Sequence, residues 1–293
     1  MNSVWVDLMG AEVKFYQGKK YRTRVIEAGS GEPLVLIHGV GGHAEAYSRN
    51  IMRLAQDFRV LAIDLIYHGY SSKEPQDGNT IANYCEQVIE LLDVIGAEKA
   101  YVEGESLGGW IAMWLALHNP ERLHKVILNT AAGVQFDEDK VVVDDKGGLN
   151  LLAERSIAAV NNPNPETIRK RLEWLMASPD RVTDEMVDIR LKIYSDPVTQ
   201  KSLTHVFENS FGGGTTQKFY ISEQRAGDIK VPALVLWSDK NPGTGPDAGE
   251  RLAALIPGAE YYCINDAAHW PQWEQPEEHD RVVRDFCKAA VPA

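Results

Sequence analysis

The sequence predicts an α/β fold, with a mostly parallel, doubly wound sheet and a helical insertion. Apolar runs rich in β-branched residues alternate with helical patterns in residues 1–133 and again in residues 221–293. Residues 134–220 show helix patterns punctuated by proline and no strong strand pattern. A chain of 293 residues is long for one average domain, so one α/β domain with an insertion fits best.

The strand patterns fall into two kinds, according to how many of their faces are apolar. Residues 4–6 and 21–26 alternate apolar with polar side chains, as half-exposed strands do. The remaining strands are mostly continuous apolar runs, typical of parallel strands buried on both faces, at residues 34–37, 60–63, 100–102, 126–128, 233–237 and 260–264. Helical patterns in the same part of the chain occupy residues 81–95, 110–118, 249–256 and 277–290.

Four further helices are predicted in the insertion, at residues 149–160, 165–177, 183–194 and 197–207. Pro165 and Pro197 suit first-turn positions, and Thr183 suits an N-cap with Met186 three residues on. We therefore expect residues 1–133 and 221–293 to form the α/β core and residues 134–220 to form a helical cap.

Composition excludes several classes of protein. Acidic residues outnumber basic ones 42 to 30, which gives a formal net charge of −12, and the longest basic run, Arg169-Lys170-Arg171, has only three residues. Nucleic acid is therefore not expected as a partner. The longest apolar stretches are about ten residues, too short to span a bilayer. The acidic, mixed N-terminus does not resemble a secretory signal.

The three cysteines, Cys85, Cys263 and Cys287, are odd in number and far apart. This spacing is not typical of a disulfide framework or of a metal-binding knuckle, so a reducing cytoplasm is the expected location. The histidines likewise show no metal-binding spacing, and we expect neither a metal nor another cofactor.

A nucleophile is predicted at Ser106. Residues 104–108 read GESLG and fit the pattern G-x-S-x-G, between a predicted strand and a predicted helix. Glycines there permit a turn so tight that the serine is forced outward. The backbone N–H of Leu107 then points at the substrate oxygen, at the N-terminus of the helix.

A second donor for a developing oxyanion is predicted in the glycine-rich loop of residues 38–42, which follows an earlier strand. Glycine lets a backbone N–H approach the oxyanion without a side chain in the way. The donor is the N–H of Val40 or that of Gly41, and the sequence alone leaves this choice open.

The expected base is His269. A serine hydroxyl is a weak nucleophile at neutral pH and needs a base beside it. His269 is the histidine that lies on a loop after the last predicted strand, near the C-terminus. His43 follows the glycine loop and is a candidate to line the pocket instead.

The residue that orients His269 is expected on the loop after residues 233–237, and two candidates remain open. Asn241 matches the usual position but is not an acid, so its carbonyl can orient the ring without supplying negative charge. In serine proteases an aspartate orients the catalytic histidine, and its exchange for asparagine lowers turnover by about 10⁴-fold. Asp239, two residues earlier, is the chemical alternative.

These residues resemble the α/β-hydrolase superfamily over nearly the whole chain. Within it, the chain is similar to the meta-cleavage product hydrolases, which hydrolyse a carbon–carbon bond in ring-fission products of bacterial aromatic degradation. The glycine loop, the serine turn and residues 64–71 (DLIYHGYS) carry the resemblance, and residues 269–274 (HWPQWE) are its most specific part. Residues 183–186 (TDEM), followed by Arg190, resemble that family's cap helix.

The resemblance implies a dienol substrate of the 2-hydroxy-6-oxo-dienoate type. Ser106 would be the nucleophile or its activating partner, and His269 the acid and base. Arg190 would contact the substrate carboxylate through its two-pronged guanidinium, beside Trp270. Gly42 and Glu105 are also expected along the substrate. A small molecule is the expected partner, and self-association is left open.

Three positions depart from the family's pattern. Glu105 stands where many members carry asparagine, Tyr67 replaces a glycine, and Asn241 replaces the acid. A carboxylate in the pocket would repel an anionic substrate, so a carboxylesterase or lactonase acting on a neutral substrate is the alternative. A non-catalytic ligand-binding protein is a further alternative, which Asn241 favours.

Overall fold

The computed structural model describes residues 3–74, 81–136, 149–211 and 215–290. Residues 137–148 and 212–214 of the predicted cap lie outside the described residues, as do residues 75–80 and both chain ends.

The described residues form ten strands, two of them very short. These are β1 (Glu12–Gln17), β2 (Arg22–Ala28), β3 (Pro33–Ile37), β4 (Arg59–Ile63), β5 (Ala100–Glu105), β6 (Leu123–Asn129), β7 (Val134–Gln135), β8 (Ile221–Ser222), β9 (Ala233–Ser238) and β10 (Glu260–Ile264). Eight of them make one sheet in the order β1-β2-β4-β3-β5-β6-β9-β10. The pairs from β4 to β10 are parallel, whereas β1 and β2 are antiparallel. This confirms the predicted mostly parallel sheet.

Helices cover the sheet and form the insertion. They are α1 (Val4–Asp7), α2 (Ser48–Leu54), α3 (Ile81–Val94), α4 (Leu107–His118), α5 (Leu149–Asn161), α6 (Pro165–Glu173), α7 (Asp184–Tyr194), α8 (Pro197–Phe211), α9 (Glu223–Ala226), α10 (Pro246–Leu255), α11 (Pro271–Glu274) and α12 (Pro276–Lys288). Helix α4, almost wholly apolar and buried, packs on β5 and β6. Within the described ranges, no helix is long and apolar enough to cross a membrane.

The helices α5 to α8 lie between β7 and β8, which pair in parallel. Sequence signals for these helices match their starts. Thr183 Oγ1 accepts a hydrogen bond from the N–H of Met186 at 3.2 Å, and Asn164 forms a capping box with Thr167 at the start of α6.

The first predicted strand was wrong, because residues 4–7 form the short helix α1. Its first N–H groups point at a carboxylate of the insertion: Val4 N–H donates to Glu185 Oε2 at 2.8 Å. This contact spans most of the chain, so a local alternation of apolar residues carries no sign of it. The exposed edge strand β1 was missed, because its outward charged and aromatic side chains show no buried face.

A charged cluster is buried behind the sheet. His279 Nε2 lies 2.7 Å from Glu103 Oε1, and its Nδ1 lies 3.0 Å from Asp280 Oδ1. Burial alone would lower the pKa of His279, but the two carboxylates outweigh it and raise that pKa from 6.5 to about 10. The folded protein therefore holds an imidazolium here at neutral pH.

This cluster predicts a pH dependence of stability. A pKa raised on folding stabilises the native state fully below pH 6.5 and loses that contribution as pH rises through about 10. We expect the free energy of unfolding of the wild type, measured in urea, to fall towards that of His279→Gln as pH increases from 6.5 to 10. A difference between the two proteins that is constant over this range would contradict the charged state of His279.

Candidate active site

Ser106 lies at a sharp turn between β5 and α4. Its backbone has φ +54° and ψ −110°, a conformation that a residue with a side chain rarely adopts. A Cβ on Gly104 would collide with the carbonyl of Gly108, and a Cβ on Gly108 would collide with the carbonyl of Ile37. The two glycines therefore allow the tight turn that the sequence predicts, and the serine is held at its tip.

Several catalytic candidates follow strands that run in the same direction. Gly39 follows β3, Ser106 follows β5, Asn241 follows β9 and His269 follows β10. The carboxyl ends of parallel strands meet at one edge of the sheet, which is where open α/β sheets bind ligands. The topology thus brings together residues that are far apart in sequence.

Asn241 is the partner of His269 in the structure. Its Oδ1 lies 2.7 Å from His269 Nδ1. Its amide N–H groups donate to the carbonyl and hydroxyl oxygens of Thr244, at 2.7 and 3.1 Å. Because the amide nitrogen donates to Thr244, the carbonyl oxygen of Asn241 faces the ring. Nδ1 of His269 therefore carries a proton and donates it to this oxygen.

Asp239 lies elsewhere. Its side chain is exposed, and its Oδ1 accepts a hydrogen bond from the N–H of Ala267 at 3.2 Å. It stabilises the loop that leads to His269. Of the two candidates left open by the sequence, the structure brings only Asn241 to the histidine.

The side chain of Glu105 turns into the site. Its Oε2 accepts the N–H of Gly39 at 2.6 Å, and its Oε1 lies 3.1 Å from His269 Nε2. Only 1% of this side chain is exposed. His269 therefore has an amide carbonyl on one ring nitrogen and a carboxylate on the other.

The glycine loop contributes its residues unequally. Val40 and Gly42 line the cavity beside Ser106. Gly41 has φ +72°, and its carbonyl accepts the hydroxyl of Tyr194 at 2.8 Å. A Cβ on Gly41 would lie 2.6 Å from that hydroxyl oxygen, so this glycine lets the loop pack against α7.

A narrow cavity joins these groups to the insertion. The residues that line it are Gly39, Val40, Gly42, Glu105, Ser106, Leu152, Arg171, Leu175, Arg190, His269 and Trp270. Arg190 and Trp270 also line a second narrow cavity. The predicted substrate contacts Arg190, Trp270, Gly42 and Glu105 thus share one cavity with Ser106.

Arg190 is a buried cation without a hydrogen-bond partner among the described residues. The residue is 1% exposed, and none of its three guanidinium nitrogens has a partner there. Its guanidinium carbon lies 5.4 Å from the centre of the Trp270 ring. Burial lowers the pKa of Arg190. A buried charge in this state is costly unless an anion pairs with it.

Arg171 is a second buried cation, which sequence reasoning missed. Its Nε donates to Ser156 Oγ at 2.8 Å, while Nη1 has no partner among the described residues. Burial lowers the pKa of Arg171 to about 10. The available signal was its place on α6 beside the buried Ile168 and Leu172, but an arginine on a helix usually reaches solvent.

Residues 32–276 match the family model of the alpha/beta hydrolase fold. The chain belongs to the α/β hydrolase fold family. The fold and the superfamily predicted from the sequence are therefore confirmed.

Named relatives of this α/β hydrolase share most of its length. It is 30% identical over 267 residues to 2-hydroxy-6-oxononadienedioate/2-hydroxy-6-oxononatrienedioate hydrolase 1 of Dechloromonas aromatica (strain RCB), which covers 89% of this chain and 88% of the relative. It is 28% identical over 276 residues to 2-hydroxymuconate semialdehyde hydrolase of Pseudomonas putida, covering 92% of each.

A solved structure agrees with these relatives. The meta-cleavage product hydrolase from Pseudomonas fluorescens IP01, determined in complex with acetates, superposes with a TM-score of 0.78 and 26% identity. The match covers 93% of this chain and 96% of that one. The predicted similarity to meta-cleavage product hydrolases is thus confirmed.

Proposed function

We propose that this α/β hydrolase cleaves a carbon–carbon bond in a vinylogous diketone of the 2-hydroxy-6-oxo-dienoate type. The observation that carries the proposal is Arg190, a buried guanidinium without a partner among the described residues, in the cavity that holds Ser106 and His269. Such a substrate carries the carboxylate that this cation lacks. The names of the relatives point to the same substrate class.

The insertion, residues 134–220, acts in this proposal as a cap. It supplies four lining residues of the cavity: Leu152, Arg171 and Arg190 on its helices, and Leu175 in the turn after α6. A substrate held between them and the glycine loop would be shielded from water, which strengthens its pairing with the two arginines.

The chemistry would begin with a proton shift. His269 would help to move the enol proton of the substrate to carbon, which gives the ketone. Ser106, or a water molecule that it activates, would then add to the ketone carbonyl next to the bond that breaks. The N–H groups of Leu107 and of Val40 or Gly41 would hold the oxyanion. Collapse of this adduct would break the carbon–carbon bond. With one water consumed overall, it would release a dienoic acid and a second carboxylic acid.

The net charge of the cavity allows an anionic substrate to bind in spite of Glu105. Its carboxylate would repel an anionic substrate if it were alone. Arg171 and Arg190 line the same cavity, so two cations face one carboxylate there. A substrate carboxylate would meet a net positive site.

The remaining expectations belong to the same proposal. The three cysteines are free, which fits a reducing cytoplasm. The net charge of −12 disfavours nucleic acid as a partner, and a small molecule is the expected one.

A substrate panel tests the proposal. Coloured dienol ring-fission products with aryl and alkyl tails are offered beside 4-nitrophenyl esters, and absorbance is followed by stopped flow. We expect the dienols to lose their colour faster than the esters are hydrolysed. Turnover of the esters alone would favour a carboxylesterase, and turnover of neither substrate would favour a ligand-binding protein.

A further inference from the structure

Two departures from the family's pattern meet on one histidine. Asn241 stands where the family pattern has an acid, and Glu105 stands where many members carry asparagine. In the structure both touch the ring of His269, from opposite sides. The negative charge therefore lies beside Nε2 of His269 and not beside Nδ1.

We propose that Glu105 is a positioning residue that supplies, at Nε2 of His269, the negative charge that Asn241 cannot supply at Nδ1. The inference rests on the serine-dependent hydrolysis of the proposed function, but it holds for any substrate attacked by Ser106. Glu105 acts through His269 and changes none of its own covalent bonds.

The tautomer of His269 follows from its partners. The two donors of the Asn241 amide are held by Thr244, so its carbonyl oxygen accepts the Nδ1 proton. Nε2 therefore faces Glu105 Oε1, at 3.1 Å. This is an ion-pair distance, so the carboxylate attracts the ring once Nε2 has taken up a proton and the ring is positively charged.

The loop of residues 38–42 is shaped around this carboxylate. The N–H of Gly39 donates to Glu105 Oε2 at 2.6 Å. A Cβ on residue 39 would lie 2.5 Å from the same oxygen, so a residue larger than glycine would displace the carboxylate. The buried side chain of Glu105 is thus held on Nε2 by the backbone.

This placement has a consequence for proton transfer. When Ser106 attacks a carbonyl carbon, the electron pair of its O–H bond forms the new C–O bond, and its proton passes to Nε2. The ring becomes an imidazolium, which the neutral carbonyl of Asn241 stabilises only as a dipole. The carboxylate of Glu105 stabilises it as a charge, until the proton passes on to the leaving group.

Other charged and titratable groups face this pair. Arg171 and Arg190 line the same cavity from α6 and α7, and the hydroxyls of Tyr47 and Tyr194 lie near these charges. These groups would also affect a pH profile. The test therefore keeps the pH constant and moves the negative charge from position 105 to position 241.

The experiment is a double-mutant cycle with Glu105→Gln, Asn241→Asp and the combined variant. The readout is the rate at which a fluorophosphonate probe labels Ser106. Glu105→Gln keeps an acceptor for Gly39 and removes the charge, and we expect labelling to slow by about 10²–10³-fold. In the combined variant the aspartate introduced at position 241 supplies the charge at Nδ1, and labelling is expected to return to within about tenfold of the wild type.

Three outcomes would overturn the inference. Glu105→Gln could label as fast as the wild type or faster, which would show that the charge of Glu105 does not assist Ser106 or even inhibits it. The combined variant could label no faster than Glu105→Gln, which would make Glu105 a purely structural residue. The wild-type Ser106 could fail to label, which would show that His269 is not an activated base.

Controls separate folding from charge and this inference from the proposed function. Thermal melts check each variant, Glu105→Asp keeps the charge on a shorter side chain, and Glu98→Gln removes a carboxylate from the exposed surface. The probe needs no natural substrate. If dienols are not cleaved while the cycle behaves as expected, the proposed function fails and the role of Glu105 stands.

Discussion

Replacement of Ser106 with alanine is expected to lower kcat on dienol substrates by on the order of 10⁴-fold or more. The hydroxyl is the nucleophile, or it activates the water that attacks, at the tip of a strained turn at φ +54°. Alanine adds no atoms and keeps the backbone, so the fold should survive. The measurement is stopped-flow turnover under saturating substrate, with a thermal melt of each protein.

Ser195→Ala is the matched control, because Ser195 is exposed at the end of α7, away from the cavity. It should retain wild-type kcat. A loss of less than tenfold in Ser106→Ala would mean that water attacks without help from the serine, with His269 as its base.

Arg190→Met is expected to change activity and stability in opposite directions. The guanidinium of Arg190 is buried, and none of its three nitrogens has a hydrogen-bond partner among the described residues. Losing its charged hydrogen bonds to a substrate carboxylate should lower kcat/KM by about 10²–10³-fold. Removing an unpaired buried charge should raise the free energy of unfolding of the ligand-free protein by about 1–4 kcal/mol.

Steady-state kinetics and urea unfolding of the same preparations measure both effects. Lys192→Met removes an exposed cation from the same helix and should change neither. Arg171→Met removes a cation that already donates to Ser156, so we expect it to lower stability instead. A less stable Arg190→Met protein with normal kcat/KM would show that Arg190 serves the fold and not the substrate.

Local patterns allowed the sequence to predict the sheet, the four helices of the insertion and the places of Ser106 and His269. A turn such as residues 104–108 is visible in sequence because only glycine tolerates its contacts, at Gly104 and Gly108. Likewise, buried parallel strands need apolar side chains on both faces. Each of these constraints acts within a few residues.

Contacts between distant segments explain what the sequence did not predict. Helix α1 forms where a strand was expected, because Glu185 binds its first N–H groups. Arg171 enters the cavity because of how α6 packs, although most arginines on helices reach water.

By itself, the sequence determined the α/β hydrolase fold and the loops on which Ser106 and His269 lie, since the motifs that hold them are local. Only the tertiary structure decided that Asn241, and not Asp239, meets His269, and that Glu105 faces the same ring from the other side. The loops after β5, β9 and β10 converge only when their strands pair in one sheet. Side-chain direction at that edge depends on the neighbouring loops, which a pattern along one segment does not contain.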